Sequence, residues 1–192
     1  MGKILWLDTE TTGLYSKENA VIEIAAIIEV DDVVQDEFTI KMQPHEGAKI
    51  EARALEVNGR TETEIEKFQT VKKGIAEFKS KLSDWVNKFD PKDKLVPAGY
   101  NIKFDLEFIR EAFSQAGDKY GIGSWCFNSP IDVWSYVGRL ISQNGLRLAN
   151  YKLATLCEHF EIEIDAHNPV SDITATRELF HIIEKELYEK RT

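Results

Sequence analysis

Cysteine is scarce: the 192-residue chain holds two, Cys126 and Cys157, far apart in sequence. Without a secretory context they read as reduced, part-buried thiols, and two are too few for a zinc site. No apolar run comes near the roughly 20 residues a helix needs to cross a bilayer. The amino terminus lacks the basic-then-apolar layout of a signal peptide, because Asp8 and Glu10 interrupt it. These absences lead to the expectation of a cytoplasmic protein with no membrane partner. Positive charge is also in deficit, with 24 Lys and Arg against 33 Asp and Glu, a net charge of -9. That excludes a protein that coats nucleic acid by general electrostatics. It leaves room for an enzyme that meets nucleic acid at one small site through metal ions. Repeats, low-complexity stretches and linkers are missing too, so residues 1–192 are expected to form a single domain.

What is present begins with Lys3-Ile4-Leu5-Trp6-Leu7-Asp8-Thr9-Glu10-Thr11-Thr12-Gly13-Leu14. An apolar run suited to a buried strand ends in two carboxylates and a turn rich in Thr and Gly. The two-residue repeat of a strand puts Asp8 and Glu10 on one face. Two carboxylates that close repel unless a cation lies between them or one holds a proton. A plain polar strand end is the competing account.

Further along, 21–30 reads as a strand covered on both faces, for its apolar character is nearly continuous. Asp31-Asp32 turns the chain into an antiparallel strand over 33–41. Glu23, inside the second strand, reads as a carboxylate bonded to nearby donors. Residues 42–69 form a mixed loop with short helical pieces, one closed by Gly59. Thr70 caps a helix whose apolar positions run from Val71 to Phe89. A short strand over 95–100 breaks at Gly99 and leads through Asn101 into a helix with Asp105 in its first turn. Trp125-Cys126-Phe127 is expected to be the last strand, and Asp132 to cap the helix after it. Ser171 is expected to cap a long final helix. The order gives an α/β fold with a mixed sheet, its first three strands antiparallel and the later ones parallel, flanked by helices.

Asp8, Glu10, Asp105, His167 and Asp172 all lie at the ends of elements. Singly, an Asp in a first helical turn is explained by the helix macrodipole, and a lone loop histidine by solvent. As a set they resemble the three motifs of the DEDDh group of 3′-to-5′ exonucleases. The first is Asp8-Thr9-Glu10-Thr11-Thr12-Gly13-Leu14 with Val21-Ile22-Glu23-Ile24 after it. The second is Asn101-Ile102-Lys103-Phe104-Asp105. The third is His167-Asn168-Pro169-Val170-Ser171-Asp172, with the His five positions before the Asp. A sister group has Tyr where Asn168 stands, so the resemblance is to the histidine type. Two departures stand out. A His-Gly pair is expected where Val57-Asn58-Gly59 occurs, and a small or aliphatic residue where Pro169 occurs; Pro169 should stiffen the loop carrying His167.

The resemblance implies a ribonuclease H-like fold and two divalent ions, Mg²⁺ or Mn²⁺, held by Asp8, Glu10, Asp105 and Asp172. Carboxylates suit such hard ions, and two ions can stabilise both ends of an in-line phosphoryl displacement. His167 would act as general base. Thr9, Thr11, Thr12 and Gly13 would seat the 3′-terminal sugar. Leu14 and Phe104 would wedge or stack against the last bases, with Asn58 and Asn101 beside them. Arg139, Arg147 and Lys152 default to solvated residues. The implied activity is removal of nucleoside 5′-monophosphates from 3′ ends, DNA before RNA, with single-stranded or frayed ends preferred. An RNA trimmer or short-oligonucleotide degrader is the second reading, and a non-catalytic polymerase-associated module the third. A DNA polymerase is a candidate partner, although no extended tail follows the last helix, which favours an enzyme that works alone.

Overall fold

A computed structural model describes residues 2–165 and 168–189, the last two of these as backbone only. Five strands pair in the order β3-β2-β1-β4-β5. They are β1 (Lys3–Thr11), β2 (Val21–Val30), β3 (Val33–Lys41), β4 (Val96–Gly99) and β5 (Ile131–Asp132). The first three pair antiparallel, and β4 and β5 add on parallel beyond β1, as expected. Asp31 and Asp32 turn β2 into β3 with φ of 50° and 66°. Two left-handed residues are what a hairpin turn matched to strand twist requires.

The helices are α1 (Ala52–Val57), α2 (Glu62–Ile65), α3 (Val71–Ser83), α4 (Lys103–Gln115), α5 (Val133–Arg139), α6 (Leu153–His159) and α7 (Pro169–Glu189). They cover the sheet on both sides. Leu5, Leu7, Ile24, Ala26 and Ile28 pack with Ile75, Phe78 and Leu82 of α3 and Phe108, Ile109 and Phe113 of α4. The alternate residues Trp6, Ala25, Ile27 and Ala98 pack with α5, α6 and the Ile173, Leu179, Phe180 and Ile183 stripe of α7. This double cover explains why β2 reads as an unbroken apolar run.

Three expected boundaries are corrected. The helix from Val71 ends at Ser83, short of Phe89, which is 85% exposed and has no core to reach. Trp125-Cys126-Phe127 contributes only an isolated bridge from Cys126 to Leu95, and the fifth strand is Ile131–Asp132. The last helix begins at Pro169, so Ser171 lies inside its first turn and is not its cap; the Ser171 hydroxyl instead accepts from the Asp165 N–H at 2.8 Å. Asn168 takes the cap position, its carbonyl accepting from the Asp172 N–H at 2.8 Å. Proline suits the first helical position, where its missing N–H has no partner to lose. Cys126 and Cys157 are both free and buried.

Candidate active site

The site forms where β1 leaves the sheet. Its pairing with β2 shifts register between Glu10 and Thr11, an irregularity that twists a strand end and re-aims its side chains. Strand alternation sends Asp8 and Glu10 to the Trp6 side, toward α7, and Thr9 to the opposite side. There the buried Thr9 hydroxyl donates to Asp105 Oδ1 at 2.7 Å. Asp105 is in the first turn of α4 and only 5% exposed.

Two backbone features deliver α4 to that place. Gly99 lies so close to β1 that a Cβ there would meet the Leu7 carbonyl oxygen at 2.8 Å. Asn101 then turns in the left-handed region, φ 57°, a conformation Asn tolerates better than most residues. Its N–H donates to Asp132 Oδ1 at 3.0 Å, and the same oxygen accepts from the Trp134 N–H at 3.1 Å. Asp132 therefore caps α5, as expected, and also pins the second motif.

The Thr-Gly turn is braced from inside. The Thr11 hydroxyl donates to the Gly13 carbonyl and the Thr12 hydroxyl to the Lys49 carbonyl, each at 2.7 Å. Asn58 donates to the Thr11 carbonyl at 2.9 Å. Asn19, 1% exposed, accepts from the Tyr15 N–H and donates to Lys49 and Glu51. A Cβ at Gly13 would sit 2.3 Å from the Asn19 amide. With Thr9 tied to Asp105, all three threonine hydroxyls named as sugar contacts donate to internal acceptors. Leu14 is 70% exposed and projects from the turn, whereas Phe104 is half-buried with its ring 4.9 Å from that of Phe108.

Electrostatics ties the carboxylates together. Asp8 is pushed well above the usual carboxylate range, first by burial and then by Asp105, Glu10, Asp172 and Glu23. Glu10 is pushed up to about 7 by burial, then by Glu23 and Asp172, with Arg60 opposing. Burial raises Asp105 to about 7 against the pull of its Thr9 hydrogen bond. Asp172 occupies the first turn of α7. His167 lies outside the described residues. Glu23 pairs directly opposite Glu10 and is held by Arg60 at 2.6 Å and Lys41 at 3.8 Å, the bonded carboxylate expected of it. Arg147 folds back on the carbonyls of Ile141 and Leu146.

A model of the exonuclease family described as RNase_T matches residues 5–180. The chain belongs to that exonuclease family. Among its relatives, the PolC-type DNA polymerase III of Halalkalibacterium halodurans is 29% identical over 95% of this chain, which spans 11% of that polymerase. Ribonuclease T of Shewanella denitrificans is 28% identical over 93% of this chain and 79% of its own length. The fold is shared with E. coli Exonuclease I in complex with a dT13 oligonucleotide, with a TM-score of 0.79 and 19% identity over 99% of this chain and 43% of that one. The mixed sheet with helices on both faces is thus the ribonuclease H-like fold, as the motifs implied.

Family members of this DEDD type generally use divalent ions. Among the described residues, no three His, Cys, Asp or Glu side chains are arranged as they stand to hold one. The donors nevertheless fit. Asp8, Glu10, Asp105 and Asp172 are oxygen donors, and the last three each raise the pKa of a neighbouring carboxyl; oxygen donors are what hard ions select. Sequence reasoning missed Asn19, Arg60 and the double role of Asp132. An Asn between a charged stretch and a strand carries no pattern of its own, and a pair between the loop residue Arg60 and the strand residue Glu23 depends on how the chain folds back.

Proposed function

We propose that this chain is a hydrolase that removes nucleotides one at a time from 3′ ends of nucleic acid and releases nucleoside 5′-monophosphates. The observation that carries this reading is the convergence of Asp8, Glu10, Asp105 and Asp172 from three separate elements. Their mutual repulsion and burial raise carboxyl pKa values toward neutrality. A scaffold that tolerates this cost does so for a ligand of opposite charge.

In this reading, those four carboxylates hold two divalent ions, Mg²⁺ or Mn²⁺. When bound, the ions neutralise charge that develops on the phosphoryl and leaving oxygens. Thr9 fixes the orientation of Asp105 by its hydroxyl. Asn58 and Asn19 hold the Thr11–Gly13 turn so that its backbone, with Leu14, meets the terminal nucleotide. His167 takes the proton of the attacking water. The scaffold acts as one exonuclease domain in the cytoplasm.

DNA is the first substrate, supported by the PolC-type relatives and by the dT13 oligonucleotide held by Exonuclease I. Those same relatives make a DNA polymerase the candidate partner. RNA is the second reading, favoured by the Ribonuclease T relatives, which this chain matches over most of their length. A silent binding module would not need all five chemical positions. The test is a 5′-labelled oligonucleotide, DNA or RNA, incubated with Mg²⁺ or Mn²⁺ and with EDTA. Stepwise shortening is expected with metal only and is expected to vanish in Asp8→Ala. Shortening in EDTA, or an active Asp8→Ala enzyme, refutes the metal-site assignment. Faster turnover of RNA reverses the substrate order.

A further inference from the structure

An aromatic cluster forms at the ends of β4 and β5, on the side of β1 opposite β2. Tyr100 follows β4, Trp134 is in the first turn of α5, and Tyr151 precedes α6. The Trp134 ring lies 6.1 Å from that of Tyr100 and 6.0 Å from that of Tyr151, both edge-on. The Tyr100 hydroxyl donates to the Tyr151 carbonyl, which ties the two loops together. Trp134 is fixed at its backbone by Asp132, the residue that also pins Asn101.

Register places this cluster relative to the site. Trp6 pairs with Ala98 as the last pair of the parallel β1–β4 ladder; beyond it β1 runs on to Asp8, and Tyr100 stands in the turn that follows β4. Gly99 pairs with Asp132 in the next ladder, which puts the start of α5 one row further out. Two strand spacings amount to about 10 Å, a reach a nucleic-acid strand entering the site must cross.

Core packing does not account for Trp134. It is 41% exposed, whereas Trp6 and Trp125 are at 0% and 3%. A large aromatic side chain left open next to a phosphodiester site, held rigid by two tyrosines and a capped helix, has the character of a base-stacking surface.

We propose that Trp134, backed by Tyr100 and Tyr151, is a stacking seat for an unpaired nucleobase upstream of the bond being cleaved. The seat rests on the exonuclease reading for its role in turnover, though not for binding itself. A base in a duplex already has stacked neighbours on both faces, so the seat selects for single strands.

The experiment titrates the full chain with a short oligothymidylate in EDTA and follows tryptophan fluorescence. Wild-type emission should be quenched as the base stacks on the most exposed tryptophan. W134F should retain most of the affinity, measured by the anisotropy of a labelled strand. W134A should bind about 5- to 150-fold more weakly, the equivalent of roughly 1–3 kcal/mol of base stacking. An oligonucleotide with abasic upstream positions should bind wild type and W134A alike. With Mn²⁺ present, the ratio of efficiencies on the oligothymidylate and on the p-nitrophenyl ester of thymidine 5′-monophosphate should fall by the same factor in W134A. A purely structural lesion lowers both efficiencies together and leaves the ratio alone, and that result overturns the seat. So does unchanged affinity in W134A, or an equal loss on the abasic strand. If the wild-type chain cleaves neither substrate, the nuclease reading fails, and the EDTA titration still decides the seat.

Discussion

Glu23 and Glu29 share strand β2, face the same helical layer and are almost equally buried, at 4% and 1% exposure, yet they serve opposite ends of the molecule. Glu29 lies far from the carboxylate cluster. Its Oε2 accepts from Trp6 Nε1 at 3.3 Å and from Arg177 Nε, with His181 Nε2 at 3.5 Å. Arg177 also donates to the Asp32 carbonyl at 3.0 Å. This clamp fastens α7, the helix that carries Asp172, to β1 and β2. Glu23 stands opposite Glu10 and, although held by Arg60, still raises the Glu10 pKa. One buried acid secures the scaffold. The other adds negative charge where charge is already crowded, which destabilises the protein and serves the site.

The clamp gives the largest expected effect. Glu29→Ala leaves Arg177 without its carboxylate partner and the Trp6 N–H without an acceptor. Breaking a buried pair from one side costs about 3–5 kcal/mol, and the partial exposure of Arg177 points to the lower end. Urea denaturation measures it. A loss below about 1 kcal/mol would show that α7 is held by its apolar stripe alone.

The crowded end should respond to pH and metal. Asp8, Glu10 and Asp105 all have folded pKa values above their unfolded ones. The unfolded chain therefore releases these protons first; the stability that Glu10 and Asp105 contribute is fully present below about pH 4 and lost as pH rises through about 7, and Asp8 acts in the same direction. Asp8→Asn removes part of that repulsion. In EDTA its melting temperature should exceed that of wild type by a margin that grows from pH 5 to pH 8. Mn²⁺ should raise the wild-type melting temperature more at pH 8 than at pH 5, because binding favours the ionised site. A margin that shrinks with pH has the wrong sign and rules out the repulsion account.

The smallest effect separates the two glutamates most directly. Arg60→Met removes a charge that lowers the Glu10 pKa, so the acidic limb of the kcat/KM profile should move to higher pH. Glu23→Gln should move it to lower pH. Glu29→Gln should leave it in place, since Glu29 is not among the groups acting on Glu10. A limb displaced by Glu29→Gln would mean that the clamp reaches the site.

Much of this was readable in order. The Asp31-Asp32 hairpin, the doubly covered β2, the Asp132 cap and the glycine break before Asn101 each follow from local chemistry, and each is found where expected. Ser171 shows where local reading stops. Ser is a good cap by type, but Pro169 sits two residues earlier at a position it favours, and the helix starts there. Trp125-Cys126-Phe127 has strand-forming residues yet makes only one bridge. The place beside β4 falls to Ile131–Asp132, whose Asp can also cap α5 and hold Asn101. The internal acceptors of the first-motif threonine hydroxyls, Asp105 for Thr9, Gly13 for Thr11 and Lys49 for Thr12, were likewise not legible in the local sequence.

By itself the sequence determined the family, the alternation of elements and the acidic residues at their ends, because periodicity, turn chemistry and motif spacing are local properties. Only the tertiary structure decided how those acids act. Burial and charge coupling depend on which residues face one another across strands. Glu10 meets Glu23 through the register of the sheet, and Thr9 meets Asp105 because α4 packs on β1, relations between residues that no single stretch of chain contains.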